Sequence, residues 1–69
     1  MNRKKVNSSK IRSVGYDERA QVLEIEFTTA QVLQYLRVSH ETYRRLMAAP
    51  NPAAYFEDSI AEDYTSRRV

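Results

Sequence analysis

Residues 23–38 read LEIEFTTAQVLQYLRV, and this stretch decides the fold of the 69-residue chain. Its first half, from Leu23 to Phe27, alternates apolar residues with glutamates, which is the pattern of a β-strand with one face in a core and one in water. Residues 28–30 then reverse the chain, and residues 32–38 return as a second strand. The stretch therefore predicts a β-hairpin.

The length of the turn decides which side chains of the returning strand enter the core. A three-residue turn pairs Phe27 with Gln31 and places Leu33 and Tyr35 on the apolar face. A two-residue turn shifts the pairing by one residue and reverses every side chain. We favour the three-residue turn, because the alternative directs a glutamine into the core. It requires a left-handed conformation at Ala30, which glycine accepts more easily.

A further strand is predicted before the hairpin, over residues 10–16. Its alternation slips once, because Ile11 and Val14 fall on opposite parities. Gly15, the single glycine of the chain, marks either a bulge or a place where another backbone passes close.

Two helices are predicted after the hairpin. Ser39 and Asn51 are suited to cap them, and apolar residues recur at helical spacing after both caps. The predicted fold class is α+β, a three-stranded antiparallel β-meander followed by two short α-helices packed on one face, in the order β-β-β-α-α. The predicted core residues are Leu23, Ile25, Phe27, Leu46, Phe56 and Ile60.

The composition limits the chain to one small domain held together by packing. The chain contains no cysteine, which excludes disulfides and thiolate–metal ligation. No apolar run approaches the roughly 20 residues of a membrane helix, and the charged N-terminus is not followed by the apolar segment of a signal peptide. We therefore expect a cytoplasmic protein without membrane association.

The charge is distributed unevenly along the chain. Residues 1–12 carry five Lys and Arg and no acidic residue, whereas the body holds all nine Asp and Glu. We predict a disordered basic arm over residues 1–8, a single domain over residues 9–66 and a basic tail over residues 67–69. A basic arm is suited to phosphates, whereas an acidic body repels RNA unless the fold segregates its charges.

Short motifs spread along the chain match a known domain family in order. They are Ser8-Ser9-Lys10-Ile11, Val14-Gly15-Tyr16-Asp17, Leu23-Glu24-Ile25-Glu26-Phe27, Tyr35, Val38, Tyr43, Leu46, Tyr55-Phe56, Ile60, Tyr64 and a terminal Arg. Together they resemble the KTSC domain, named for its occurrence at the C-terminus of some lysyl-tRNA synthetases and also found as free-standing bacterial and phage proteins. The resemblance implies an RNA-binding role, and it implies no activity, cofactor or catalytic residue.

The chain departs from the family pattern at four places. The usual Tyr-x-Tyr of the third strand is reduced to Tyr35, with Leu33 in the first position. Ala30 replaces the usual glycine of the turn, and Ser39 stands where a proline is usual. Residues 51–53 replace a step of a small residue and glycine. The absence of the first tyrosine argues against any function that needs both rings of the Tyr-x-Tyr motif.

The sequence favours a non-enzymatic binding module with RNA as its leading partner. Basic residues supply phosphate contacts, and an exposed ring can stack on an unpaired base. The predicted nucleic-acid-binding residues are Arg3, Lys4, Lys5, Lys10, Arg12, Tyr35, Arg37, Arg67 and Arg68.

The alternative partner is another protein or a second copy of the chain. It would dock on the sheet face that the helices leave open. The residues predicted to form an apolar strip there are Val22, Val32, Leu36 and Val38.

No residue pattern indicates a catalytic or metal site. His40 is the single histidine and no cysteine accompanies it, whereas zinc requires three or four ligands. The four acidic residues between Glu57 and Asp63 follow the solvated side of the second helix, and no glycine-rich phosphate loop is present. We expect no catalytic residue, metal, cofactor or small-molecule ligand.

Overall fold

Five strands form one antiparallel sheet in the computed structural model, which describes residues 2–69. The elements are β1 (Arg3–Lys5), β2 (Ile11–Asp17), β3 (Val22–Phe27), β4 (Val32–Tyr35), α1 (His40–Ala48), α2 (Pro52–Ser59) and β5 (Ser66–Arg68). The strands lie side by side in the order β1-β2-β3-β4-β5, each antiparallel to its neighbour. Both helices pack on one face of the sheet, so the predicted α+β class with two helices on one face is confirmed.

The hairpin between β3 and β4 has the three-residue turn, as predicted. Its register pairs are Leu23–Tyr35, Glu24–Gln34, Ile25–Leu33 and Glu26–Val32. The Phe27 N–H donates to the Gln31 carbonyl oxygen at 2.9 Å, and Ala30 adopts a φ of 75°. The register and the left-handed turn residue are therefore both confirmed.

β2 contains the predicted irregularity. The register with β3 shifts between Ile11 and Ser13, so that the apolar residues on either side of the bulge both face the core. Gly15 lies outside the bulge and pairs regularly with Arg3 on one side and Glu24 on the other.

Both helices begin at the predicted caps. The Ser39 hydroxyl accepts a hydrogen bond from the Thr42 N–H, and the Asn51 side-chain oxygen accepts one from the Ala54 N–H, each at 3.2 Å. Pro52 occupies the first turn of α2, where its missing N–H has no intrahelical partner to lose.

One hydrophobic core lies between the helices and the sheet. Its buried members are Ile11, Val14, Leu23, Ile25, Tyr35, Val38, Leu46, Ala53, Phe56 and Ile60. Phe27 is half-buried and packs against the cluster, with its ring centroid 5.5 Å from that of Phe56. All six predicted core residues thus belong to one packed unit.

The sheet has five strands where the sequence predicts three. Residues 3–5 and 66–68, assigned to a disordered arm and to the domain end and tail, pair with β2 and β4 as edge strands. Each strand has three residues, all exposed and all polar, so neither shows the alternation by which strands are predicted. Met1, the first residue of the predicted arm, lies outside the described residues.

The apolar strip predicted for the helix-free face is not formed. β4 ends at Tyr35, and Arg37 has a left-handed φ of 60°, which redirects the chain so that Val38 is fully buried in the core. Val32 and Leu36 remain half-buried, and Val22 is buried. The strand alternation extrapolated beyond Tyr35 was therefore wrong.

Candidate nucleic-acid interface

One row of residues crosses all five strands on the helix-free face. In register order the row is Arg3, Gly15, Glu24, Gln34 and Arg67. Arg3 Nη1 lies 3.5 Å from Glu24 Oε2, the Gln34 amide donates to Glu24 Oε1 at 2.9 Å, and Arg67 Nε donates to Gln34 Oε1 at 2.9 Å. This polar row links both edge strands to the centre of the sheet.

Gly15 leaves space for the row to form. Arg3 and Glu24 lie on strands separated by β2, so their backbones are about 9.5 Å apart. The Arg3 side chain must cross position 15 to reach its carboxylate, and any larger side chain there would stand in its path. Gly15 therefore does not form a bulge. It allows the Arg3 side chain to pass close to the backbone of β2.

The first two strands carry four exposed cations near one edge of the sheet, with Lys4 on the opposite face of β1 from Arg3 and Lys5. We call Arg3, Lys4, Lys5 and Arg12 the β1 patch; all four residues are exposed. Arg12 Nη1 lies 4.0 Å from Glu26 Oε2 at the limit of an ion pair. Among residues 2–69, no carboxylate lies within ion-pair distance of Lys4 or Lys5. These two ammonium groups are available to an external anion.

The fold segregates charge between its two layers. The sheet-forming segments, residues 2–38 and 66–69, carry nine Lys and Arg against four Asp and Glu. The helical segment, residues 39–65, carries two Arg against five Asp and Glu. The positive potential therefore lies on the sheet side, and the acidic residues that would repel a polyanion lie mostly on the other side.

The remaining predicted cations are not part of the β1 patch. Lys10 Nζ lies 2.7 Å from Glu57 Oε1 and so faces α2. Arg67 and Arg68 lie on β5, at the opposite edge of the sheet. Arg37 lies in the turn after β4. The sequence-predicted site is thus divided among two edges, a helix contact and a turn.

Tyr35 cannot serve as an accessible stacking ring. It is only 4% exposed, and its ring meets that of Phe56 at 5.3 Å and 78°. Burial raises the pKa of the Tyr35 hydroxyl above its ordinary value of 10.0. The assignment of Tyr35 as a base-binding residue was therefore wrong, because the register of the hairpin directs it into the core.

Sequence reasoning missed the residues that organise the helix-free face. Glu24 and Gln34 hold the two arginines of the polar row, and Gly15 admits one of them. The available signal was their common parity in the favoured register, which places both polar side chains on the open face. The strand that supplies Arg3 was absent from the prediction, so its partner could not be identified.

The part of the chain that the structure describes holds no group of three or more His, Cys, Asp or Glu arranged to bind a metal ion. Within residues 2–69, no helix combines the length and the apolar character needed to cross a bilayer.

These features define a small α+β domain with a basic sheet edge and an acidic helical layer. A family model described as the KTSC domain matches residues 7–64, and the chain belongs to this family.

One solved structure agrees with this assignment, and one further protein is similar in sequence. The crystal structure of the KTSC domain protein YPO2434 from Yersinia pestis is similar with a TM-score of 0.96 and 32% identity, covering 99% of this chain and 96% of that one. An uncharacterized protein of Stutzerimonas stutzeri (strain A1501) is 36% identical over 56 residues, which are 81% of this chain and 79% of that protein.

Proposed function

We propose that this KTSC domain is a non-enzymatic module that binds single-stranded RNA along the β1 patch. The observation that carries the proposal is an edge strand made only of basic residues, Arg3–Lys5, paired with the strand that carries Arg12. Phosphate contacts from Lys and Arg supply most of the affinity in sequence-independent nucleic-acid binding.

Charge segregation supports this proposal. The helical layer holds most of the acidic residues, so an RNA strand approaching the β1 edge meets a local excess of positive charge. Lys4 and Lys5 contribute most, because neither is neutralised by a carboxylate within residues 2–69.

A protein partner or a second copy on the helix-free face is the weaker candidate. Val38 belongs to the core, and the polar row occupies the middle of that face. Lysines on an edge strand also discourage edge-to-edge pairing of sheets. These three features all disfavour a flat apolar interface.

The test compares two double variants that remove the same charge from opposite sides of the molecule. Lys4→Gln with Lys5→Gln changes the β1 patch, and Arg44→Gln with Arg45→Gln changes the exposed side of α1. Binding of a fluorescent single-stranded RNA is measured by anisotropy at several salt concentrations. The first variant should flatten the dependence of log K on log salt by roughly 1.4, at about 0.7 per lost phosphate contact, and the control should leave it unchanged.

Two results would overturn the proposal. One is an equal change in slope for both double variants, which would mean that the molecule responds only to its net charge. The other is the absence of any binding by the intact protein tighter than about 10⁻⁴ M, the weak limit of non-specific affinity.

A further inference from the structure

All seven aromatic rings of the chain are committed to packing. Phe56 and Tyr35 are core members, and the other five rings pack against the core. Tyr16 stacks on Tyr43 with centroids 4.8 Å apart and planes 9° apart, and its hydroxyl donates to the Val38 carbonyl. Every ring thus makes contacts within the domain, and Tyr16 and Tyr64 also line surface cavities.

The helix-free face carries no ring in its register rows. Beyond the polar row, the next row consists of Lys5, Ser13, Glu26 and Val32. A base laid on this face would meet the carboxylates of Glu24 and Glu26 and the Arg3 side chain rather than an aromatic plane, and stacking on aromatic planes is what usually binds unpaired bases.

The free edge of β1 instead offers groups that fit phosphate. The Val6 N–H donates to the Arg12 carbonyl at 3.0 Å. Because hydrogen-bonded and non-hydrogen-bonded pairs alternate in an antiparallel ladder, the N–H groups of Arg3 and Lys5 point away from β2, toward the open edge. Backbone N–H groups and basic side chains are both common phosphate donors in nucleic-acid interfaces.

We infer that the β1 edge recognises the phosphodiester backbone alone, without stacking or reading of bases. This inference rests on the proposed RNA-binding function and specifies its ligand chemistry as a chain of phosphates. Lys5 projects from one side of the strand and Lys4 from the other, whereas Arg3 is already paired with Glu24 at 3.5 Å, so the phosphates meet one ammonium group, unpaired within residues 2–69, on each side of the edge.

One cavity has an arrangement that would suit base stacking, and a variant there tests whether stacking contributes to binding. It has a volume of about 440 Å³ at the end of β4 and brings Tyr64 beside Arg37, as base stacking next to a cation would require. Asp63 lines the same cavity, and its carboxylate repels the phosphate that accompanies any base. We therefore expect Tyr64 to take no part in binding.

The experiment compares three probes of equal phosphate number on the intact protein at one salt concentration. They are a mixed-sequence RNA of about 16 nucleotides, an abasic sugar–phosphate chain of the same length, and inorganic polyphosphate. The RNA and the abasic chain should bind with dissociation constants within about fivefold of each other and with the same salt slope, because a single stacked base is worth roughly fivefold or more. Tyr64→Leu should bind the RNA as the parent does.

Each outcome decides a separate point. RNA binding that is more than about fivefold tighter than abasic binding overturns the inference and leaves the proposed function standing. Loss of RNA affinity in a folded Tyr64→Leu variant would also overturn the inference of backbone-only recognition. If that variant unfolds, the comparison of RNA with the abasic chain tests the inference instead. Polyphosphate binding as tight as RNA binding supports recognition of phosphate from any source, whereas failure of all three probes removes the proposed function itself.

Discussion

At the residue scale, the turn residue Ala30 carries backbone strain. Its φ of 75° lies in the left-handed region, which costs a residue with a Cβ roughly 1–2 kcal/mol. Glycine removes that cost, although its greater freedom in the unfolded chain offsets about 0.4–1 kcal/mol. We expect Ala30→Gly to raise the free energy of unfolding by up to about 1 kcal/mol in urea denaturation.

A second alanine provides the control for this substitution. Ala54 is exposed within α2, so Ala54→Gly should lower the free energy of unfolding by up to about 1 kcal/mol. A clear loss of stability in Ala30→Gly would contradict the left-handed turn and the register built on it.

Phe56 joins α2 to the sheet through two ring contacts. Its ring meets those of Phe27 and Tyr35 at 5.5 and 5.3 Å. Phe56→Ala should cost about 3–5 kcal/mol, which is the whole stability expected of so small a core, and should abolish the cooperative thermal transition. Asp58→Ala, on the exposed side of α2, should stay within about 0.5 kcal/mol of the parent. A cooperative melt of Phe56→Ala near the parent's midpoint would count against this packing.

Burial of the Tyr35 side chain makes stability fall at alkaline pH. Burial raises its pKa in the folded state, so its contribution is complete below the ordinary value of 10.0 and is lost as the pH rises through the folded pKa. Burial, with Glu18 and Asp17 nearby, raises the pKa of Tyr16 in the same direction. Urea denaturation at increasing pH should therefore show a decline above about pH 10 that is smaller in Tyr35→Phe. An identical decline in the variant would indicate that Tyr35 is solvated.

At the element scale, β1 is attached by its backbone pairing with β2, by Val6 packed against the core directly after it, and by one ion pair. Its three residues bury no apolar side chain, and the Arg3–Glu24 pair is its ion-paired connection across β2. Gly15→Val places a branched side chain in the path of Arg3. We expect the variant to lose the amide-exchange protection of Val6, whose N–H bonds to β2, while the Ile60 amide in the core stays protected.

Retained protection at Val6 in Gly15→Val would show that backbone pairing alone holds β1. Loss at both Val6 and Ile60 would show instead that valine disrupts the sheet as a whole, and Glu24→Ala would then test the side-chain contact without changing β2.

An element could be predicted from the sequence when its formation depends on a residue pattern, and could not when it depends on backbone pairing alone. The hairpin was predictable because Leu23 and Ile25 alternate with glutamates, and the helices because Ser39 and Asn51 are strong caps. The edge strands were not, because three polar residues leave no pattern when they pair only through the backbone. The burial of Val38 depends on a left-handed Arg37, a position that sequence patterns rarely assign to arginine.

At the scale of the whole molecule, the separation of charge between sheet and helices is the property on which function depends. The sequence shows basic ends and an acidic body, but only the pairing of β1 and β5 with the sheet assembles those ends on one layer. The candidate site was predictable as a list of cations and not as a surface. Tyr35 was included in that list although the favoured register already placed it on the apolar face, and the structure confirms that register.

Mapping where single-stranded RNA binds provides the decisive test of the β1 patch as its binding site. Two-dimensional ¹H–¹⁵N NMR spectra of the labelled protein are recorded during titration with single-stranded RNA at low salt. We predict saturable shifts concentrated at residues 3–6 and Arg12, with the amides of Arg44 and Arg45 on α1 unmoved. Shifts centred on α1 and α2, or on the cavity beside Arg37, would contradict this prediction.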